Sequence, residues 1–522
     1  MTKVKKLGEL LPYLVLLVLI TGITSVDAFA FIFMLYAWWK YSEEEARVWL
    51  TKNLNFLIIF IPLTLYFAHV FKHWSFSTHA WDMSFTHQPI FYPFLTPLLH
   101  NDLSINNTFL GEHLAFTFFP VGLIFQYIKN DYAVFLFHAF LLSTAAWALV
   151  RFGPTRRNSL PLWVFFIFLM ASKTFRGAFL FDFREDSLAF FGLCLTLLFL
   201  FYDKWIGFTL SLLWTLLSKE NYSLITIFMV VPIFLDPRIK KEKKFLYIAT
   251  TLVLSLTWAF ISFKFLIPHY TAGVEKAHPI MGRFGEFGST PKEILINILT
   301  VPTNWIKLIS KYLLTWGRIK YLLYLILPVI LFCRRSWFWL VPALPGLAMN
   351  LFSSSHNQVM MVFHYDLMIL PFLFWALLLG LSETNNARKI LLGLLFALTF
   401  SGKWPGYFIQ KFIPKLTDIQ NSFYLENLPE KNITAANLNV LAHLNHLPHF
   451  RVLDTSATNW DEFQNANQHP DSRTRLKAFE ATHFVLDLSE PKEKNLDSIL
   501  ISKAWKLVSE SVDGRFHYLK KP

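Results

Sequence analysis

Four ionisable residues sit within FLFDFREDSLAFFG, Phe179 to Gly192, in a chain that is apolar for many residues on both sides. They are Asp182, Arg184, Glu185 and Asp186. A salt-bridged helix end would explain them, with Arg184 neutralising its neighbours. Two further groups argue for more: Asp82 in HAWDMSF, and the pair Lys219-Glu220 in LLSKENY. Placing Asp or Arg at a helix centre costs about 2.5–3.5 kcal/mol on insertion scales, so ionisable residues among apolar spans are functional candidates by default. Carboxylates so placed can hold the cations or ligate a divalent metal through oxygen.

The elements that must position these groups follow from composition. Of 522 residues, 54% are hydrophobic and 16% charged, with 56 Phe and 18 Trp, which marks an integral membrane protein. The formal charge of +13 comes from short basic clusters between apolar runs, so orientation explains it better than a nucleic-acid partner does. Cys194 and Cys333 support neither a disulfide framework nor a zinc site. Runs near the roughly 20 residues needed to span a bilayer fall at 54–71, 132–150, 159–176, 187–202, 205–218, 222–235, 245–267, 319–333, 337–352, 366–381 and 389–404. An apolar N-terminal segment, 10–39, crosses, hairpins or is cleaved. The fold expected is an α-helical polytopic membrane protein of about 11–12 transmembrane helices.

Basic clusters fix the orientation. Arg151, Arg156 and Arg157; Arg238, Lys240, Lys241, Lys243 and Lys244; Arg334 and Arg335; and Arg388 and Lys389 fall on one side if the helices alternate. That side should be the cytoplasm. Asp82, the DFRED stretch, Lys219-Glu220, His364-Tyr365 and everything after about residue 405 then lie outside. The domains expected are 1–53 as an N-terminal segment and connector, 54–405 as the membrane domain with long external loops 72–131 and 268–318, and 406–522 as a small extracytoplasmic α/β domain. Within loop 72–131, His113 to Ile128 reads as a helix lying along the membrane surface, with a hairpin dipping into the bilayer as the alternative. ITAANLNVLAHL, FRVLDTS, THFVLDLSE and AWKLVSESV supply the strands and a helix of the C-terminal domain.

The order of these features resembles a family of bacterial and archaeal membrane proteins of unknown function, grouped with the GT-C glycosyltransferases. The carriers are STHAWDMSF, GEHLAFTFFPVGLIF, LFDFREDSLAF, LLSKENYSL, MVFHYDLMILPFLFWALLLGL, and the tail ITAANLNVLAHL with THFVLDLSE. They run from about residue 72 to the C-terminus. The family more often has His where Arg184 stands, which leaves the role of that side chain open.

The resemblance implies a GT-C-like membrane glycosyltransferase in the cell inner membrane, using a polyprenyl-phosphate sugar as co-substrate and an unnamed acceptor on the non-cytoplasmic face. It implies Asp82 as catalytic base, since the attacking hydroxyl must lose a proton. A cation is needed beside the departing lipid phosphate, for which Arg184 and Lys219 are the candidates. Asp182, Glu185, Asp186 and Glu220 are left to hold those cations, bind sugar hydroxyls or ligate a divalent metal. His113, His364 and Tyr365 are lesser candidates, since a lone His at a helix mouth is more often a structural hydrogen-bonder. The competing classes are a non-catalytic receptor or assembly protein with the same fold and a lipid or solute transporter. Transporters often show paired repeats, and this sequence shows no internal repeat.

Overall fold

A computed structural model describes residues 62–154, 173–272, 283–288, 291–330, 333, 335–382, 412–430, 433–455, 459–468 and 477–522. The N-terminal segment 10–39 and the expected span 389–404 lie outside the described residues, as does nearly all of 159–176.

The first helix with a direct bearing on the candidate residues is α1, Ala80–Phe91, which carries Asp82 in its first turn. It is buried from Met83 to Phe91 and is therefore a core element of the structure. The segment read as a surface helix from His113 is shorter: α2 covers Phe118–Ile128, 11 residues. At 1.5 Å per residue it is about half a bilayer core in length. Leu123, Ile124, Tyr127 and Ile128 are exposed while Phe118, Val121 and Phe125 are buried, which is the division of a helix with one apolar face left outward.

Two helices are long and apolar enough to cross a membrane among the described residues: α3, Asp131–Phe152, and a helix running from Lys241 to Tyr270. The Asn130 side chain caps α3 by accepting from the Ala133 amide at 3.1 Å. Next come α4, Glu185–Phe201, and α5, Trp205–Ser218. Between them Asp203 takes φ +58°, and the turn folds the pair into an antiparallel hairpin. Close packing of the pair requires Gly192, because a Cβ there would lie 2.4 Å from Thr215 Oγ1. The hairpin has a direct consequence for the site. Glu185 and Asp186 open α4 and Lys219 follows the last residue of α5, so an antiparallel pair must bring them to the same end.

Elsewhere the apolar runs fold less regularly than single spans. The 222–235 run forms two short helices, Tyr222–Ile227 and Val230–Leu235, and the 337–352 run begins as a 3-10 segment, Trp337–Ala343, before Leu344–Leu351. The expected loop 268–318 contains helices Pro291–Thr300 and Pro302–Lys307. Ile294 and Ile298, four residues apart, pack there against Phe287, Leu308 and Tyr312, a helical spacing hidden in a polar stretch. Helix α6, Leu370–Ser382, is buried on all sides up to Leu381.

The C-terminal region begins with α7, Leu416–Glu426, followed by a five-stranded sheet of order β2-β1-β3-β5-β4. The strands are β1 Thr434–Ala436, β2 Phe450–Val452, β3 His483–Asp487, β4 Lys506–Glu510 and β5 Phe516–Lys520. The first three are parallel, and β5 runs antiparallel between β3 and β4. Along β3, Val485 joins a core shared with Phe85, Phe91 and Phe109, whereas Phe484 and Leu486 join the domain's own core with Leu496, Leu500 and Trp505. Alternation of side chains across a strand produces this split. One face of the sheet is therefore welded to the region that carries Asp82.

Candidate active site

Asp82, Arg184 and Lys219 line one cavity of about 180 Å³, together with His113, His364 and Tyr365. Pockets that enclose a whole small ligand run about 300–1,000 Å³, so this space suits the reacting end of a larger molecule. Arg184 Nη1 donates to Asp82 Oδ1 at 2.8 Å and Nη2 to Glu185 Oε1 at 3.3 Å, with the guanidinium 5.0 Å from the centre of the Phe85 ring. Lys219 Nζ donates to Glu185 Oε1 at 2.7 Å and Asp186 Oδ2 at 2.8 Å. Tyr222 adds a hydroxyl to Asp186 Oδ1 at 3.1 Å. Glu185 and Asp186 are fully buried beneath the two cations, whereas the Asp82 side chain keeps 27% exposure.

Burial raises the pKa of Asp82, opposed by Arg184 and assisted by the nearby Asp182 carboxylate. For Lys219, burial works against the charged form but Asp186 and Glu185 outweigh it and raise its pKa. His364 is held well below its ordinary value by burial, then by Arg184 and Lys219. Both of its ring nitrogens are buried without a hydrogen-bond partner, and Nε2 lies 3.5 Å from Asp186 Oδ2.

Other candidates take different places. Asp182 does not line the cavity. Its Oδ1 accepts from Lys72 at 2.9 Å and its Oδ2 from the His79 amide at 2.8 Å, at the N-terminus of α1. Burial favours the neutral form there, but Lys72, with His79 and His69, outweighs it and lowers the Asp182 pKa. Thr86 of α1 donates to the Phe183 carbonyl at 2.7 Å, so the Asp182-Phe183 backbone is fastened to the helix that presents Asp82. Glu220 is buried behind the cavity and accepts from the Leu114 amide at 3.0 Å, with His113 Nδ1 at 3.1 Å.

Several residues of the cavity were not singled out by their sequence context. Arg283 is the main one. Its Nη1 donates to the Gln358 amide oxygen at 2.7 Å, in the amide orientation that also lets Gln358 donate to Ser353 and to the Met349 carbonyl. Its guanidinium sits 5.3 Å from the centre of the Tyr365 ring. No carboxylate lies within ion-pair distance of it among the described residues. A single Arg in a polar stretch carries no sequence contrast, which is why it was not legible. Glu112, Asn221 and Gln358 also line the cavity.

Among the described residues, two side-chain groups elsewhere have metal-ligand composition: His73, Glu426 and His443, and His100, Asp102 and His449. Neither includes a residue of the cavity. Asp102 already accepts from Gln88, the Phe450 amide and Arg451, which leaves little capacity for an ion.

Residues 72–424 match the DUF2079 family of predicted membrane proteins, and the chain belongs to that family. No curated protein matches the sequence. Among solved structures, the chain is similar to ArnT from Cupriavidus metallidurans bound to undecaprenyl phosphate, with a TM-score of 0.48 and 10% identity, over 89% of this chain and 97% of that one. For the same protein in the apo state the TM-score is 0.38 and the identity 11%, over 90% and 98% of the two chains.

Proposed function

We propose that this protein transfers a glycosyl group from a polyprenyl-phosphate sugar to an acceptor hydroxyl at the non-cytoplasmic face of the inner membrane. The observation that carries the reading is one small cavity in which a partly exposed carboxylate, Asp82, stands beside cations. In the reaction a bond forms between the acceptor oxygen and the anomeric carbon, and the bond from that carbon to the phosphate oxygen breaks. Asp82 accepts the hydroxyl proton, and the lipid phosphate leaves as an anion.

The cations divide the work. Arg184 and Lys219 are each shared between two carboxylates, so they hold Asp82, Glu185 and Asp186 in place and lend only residual charge to an incoming phosphate. Arg283, with an amide and a ring as its neighbours, is the better phosphate partner. His364 supplies buried hydrogen-bonding capacity for a sugar hydroxyl. Asp182 serves as the anchor for α1. The membrane domain 54–405, the domain 406–522 and the external placement of both Asp82 and the C-terminal domain belong to the same proposal.

The experiment is a transfer assay in liposomes with a labelled polyprenyl-phosphate sugar. Asp82→Asn should lower transfer by about 10²–10⁴-fold while donor binding survives. Transfer unchanged by Asp82→Asn removes Asp82 from the role of base. Absence of transfer by the wild type across a broad donor panel favours a non-catalytic protein of the same fold.

A further inference from the structure

A second concavity, of about 510 Å³, lies on the C-terminal domain between α7 and the β4–β5 edge of the sheet. Its lining is apolar at Phe423, Leu428, Val508 and Val512, with Tyr424 and Tyr518 at its base. Phe423 is 45% exposed, Val508 52% and Val512 80%, and Ile413 and Leu416, at the start of the C-terminal region, are exposed as well. So many exposed apolar side chains on one small domain mark a contact surface.

What covers it is indicated by the groups that Phe423 touches. Its ring lies 6.2 Å from Trp74 and 6.5 Å from Tyr132, and the Trp74 indole donates to the Tyr132 hydroxyl at 2.9 Å. Each of these two residues ends an exposed apolar stripe. On α3, Tyr132 continues at helical spacing into exposed Leu136 and Phe140; on the helix over 62–74, Trp74 continues into exposed Phe67 and Leu63. In a membrane protein an outward apolar stripe on a spanning helix meets lipid, and Trp and Tyr collect where lipid gives way to water. The groove is therefore continuous with the lipid-facing surface, at the level of its aromatic belt.

We propose that this face of the C-terminal domain rests in the membrane interface and that the groove takes an acyl chain of a bilayer lipid. The domain is then held by the membrane as well as by its contacts with the region around Phe85, Phe91 and Phe109. The inference does not depend on the glycosyltransferase reading.

The test uses the full chain in nanodiscs, with Cys194 and Cys333 replaced and a single bimane-labelled cysteine at Val508 or Val512. Ser498→Cys, on the exposed side of the helix Pro491–Ser502, is the aqueous reference. Lipids carrying a spin label near the headgroup should quench the Val508→Cys and Val512→Cys probes at least about twofold more than the Ser498→Cys probe, and iodide should quench them less. Equal quenching by iodide at all three positions, with no effect of the lipid quencher, overturns the proposal. Protection of Val508 and Val512 from both quenchers also overturns it, because the cover is then protein. Val512 is exposed enough that its replacement leaves folding intact, so a null result cannot be ascribed to loss of structure.

Discussion

The cavity and the junction with the C-terminal domain are two polar clusters built on different terms. On the cavity side, Asp82, Arg184, Glu185, Asp186 and Lys219 form a chain of full charges, each cation shared between two carboxylates. On the side facing the C-terminal domain, a carboxylate is surrounded mostly by neutral donors. Glu426 Oε1 accepts from Tyr132 and Ser422, both at 2.8 Å, and lies 3.0 Å from His73 Nε2. The His73 and His443 rings stack above it at 4.0 Å. Elsewhere along the junction, Gln88 bridges to Asp102 and the Pro448 carbonyl, and the Tyr92 hydroxyl donates to the His446 carbonyl. The junction is packed shut, with His73 Nδ1, His443 Nε2 and Asn445 Oδ1 buried there without a partner, whereas the cavity keeps Asp82 accessible and brings Arg283 and His364 to its wall. Neither charge density nor unsatisfied capacity alone marks a site; access does.

The sharpest way to break this comparison is to strand a charge. Lys219→Met leaves Glu185 and Asp186 buried with one cation fewer, and removal of one partner from a buried pair costs about 3–5 kcal/mol. Thermal unfolding followed by size-exclusion fluorescence in detergent should show this as the largest loss of the set. Glu426→Gln removes a charge but keeps an oxygen for Tyr132 and Ser422, so a smaller cost of about 1–3 kcal/mol is expected. A Glu426→Gln variant less stable than Lys219→Met would mean that the junction depends on charge as much as the cavity does.

A third prediction concerns pH. The Asp82 pKa lies above its ordinary value of 3.8 because burial penalises the anion. A base works only when deprotonated, so transfer should fall on acidification with a midpoint above that value. An acid limb at the ordinary carboxylate position would show that Asp82 is better solvated than its surroundings indicate. The smallest effect is expected in the C-terminal domain, at Glu493, whose pKa burial raises from 4.5 to about 7. The fold therefore favours the protonated form. Its stabilising contribution is complete below about pH 4.5 and is lost as pH rises through 7. Glu493→Gln should gain a few °C in unfolding midpoint over wild type at about pH 8, and little at about pH 5. Equal gains at both pH values would assign the effect to packing.

The sequence by itself determined the membrane class, the positions of several apolar helices and the strands of the tail. These follow from local properties: the length of apolar runs and the alternation of side chains along a strand. It also determined that Glu185, Asp186 and Lys219 share one end of a helix pair, since a short turn at Asp203 can join α4 and α5 only as a hairpin. Only the tertiary structure decided how the charges pair. Asp82 meets Arg184 across 102 residues of sequence, and Asp182 turns away to Lys72 across 110. Two residues apart in an extended stretch before α4, Asp182 and Arg184 look equivalent as text, but each pairs with the partner that distant segments bring to it. Arg283 was silent for the same reason: its lack of a carboxylate partner among the described residues is a property of the space around it.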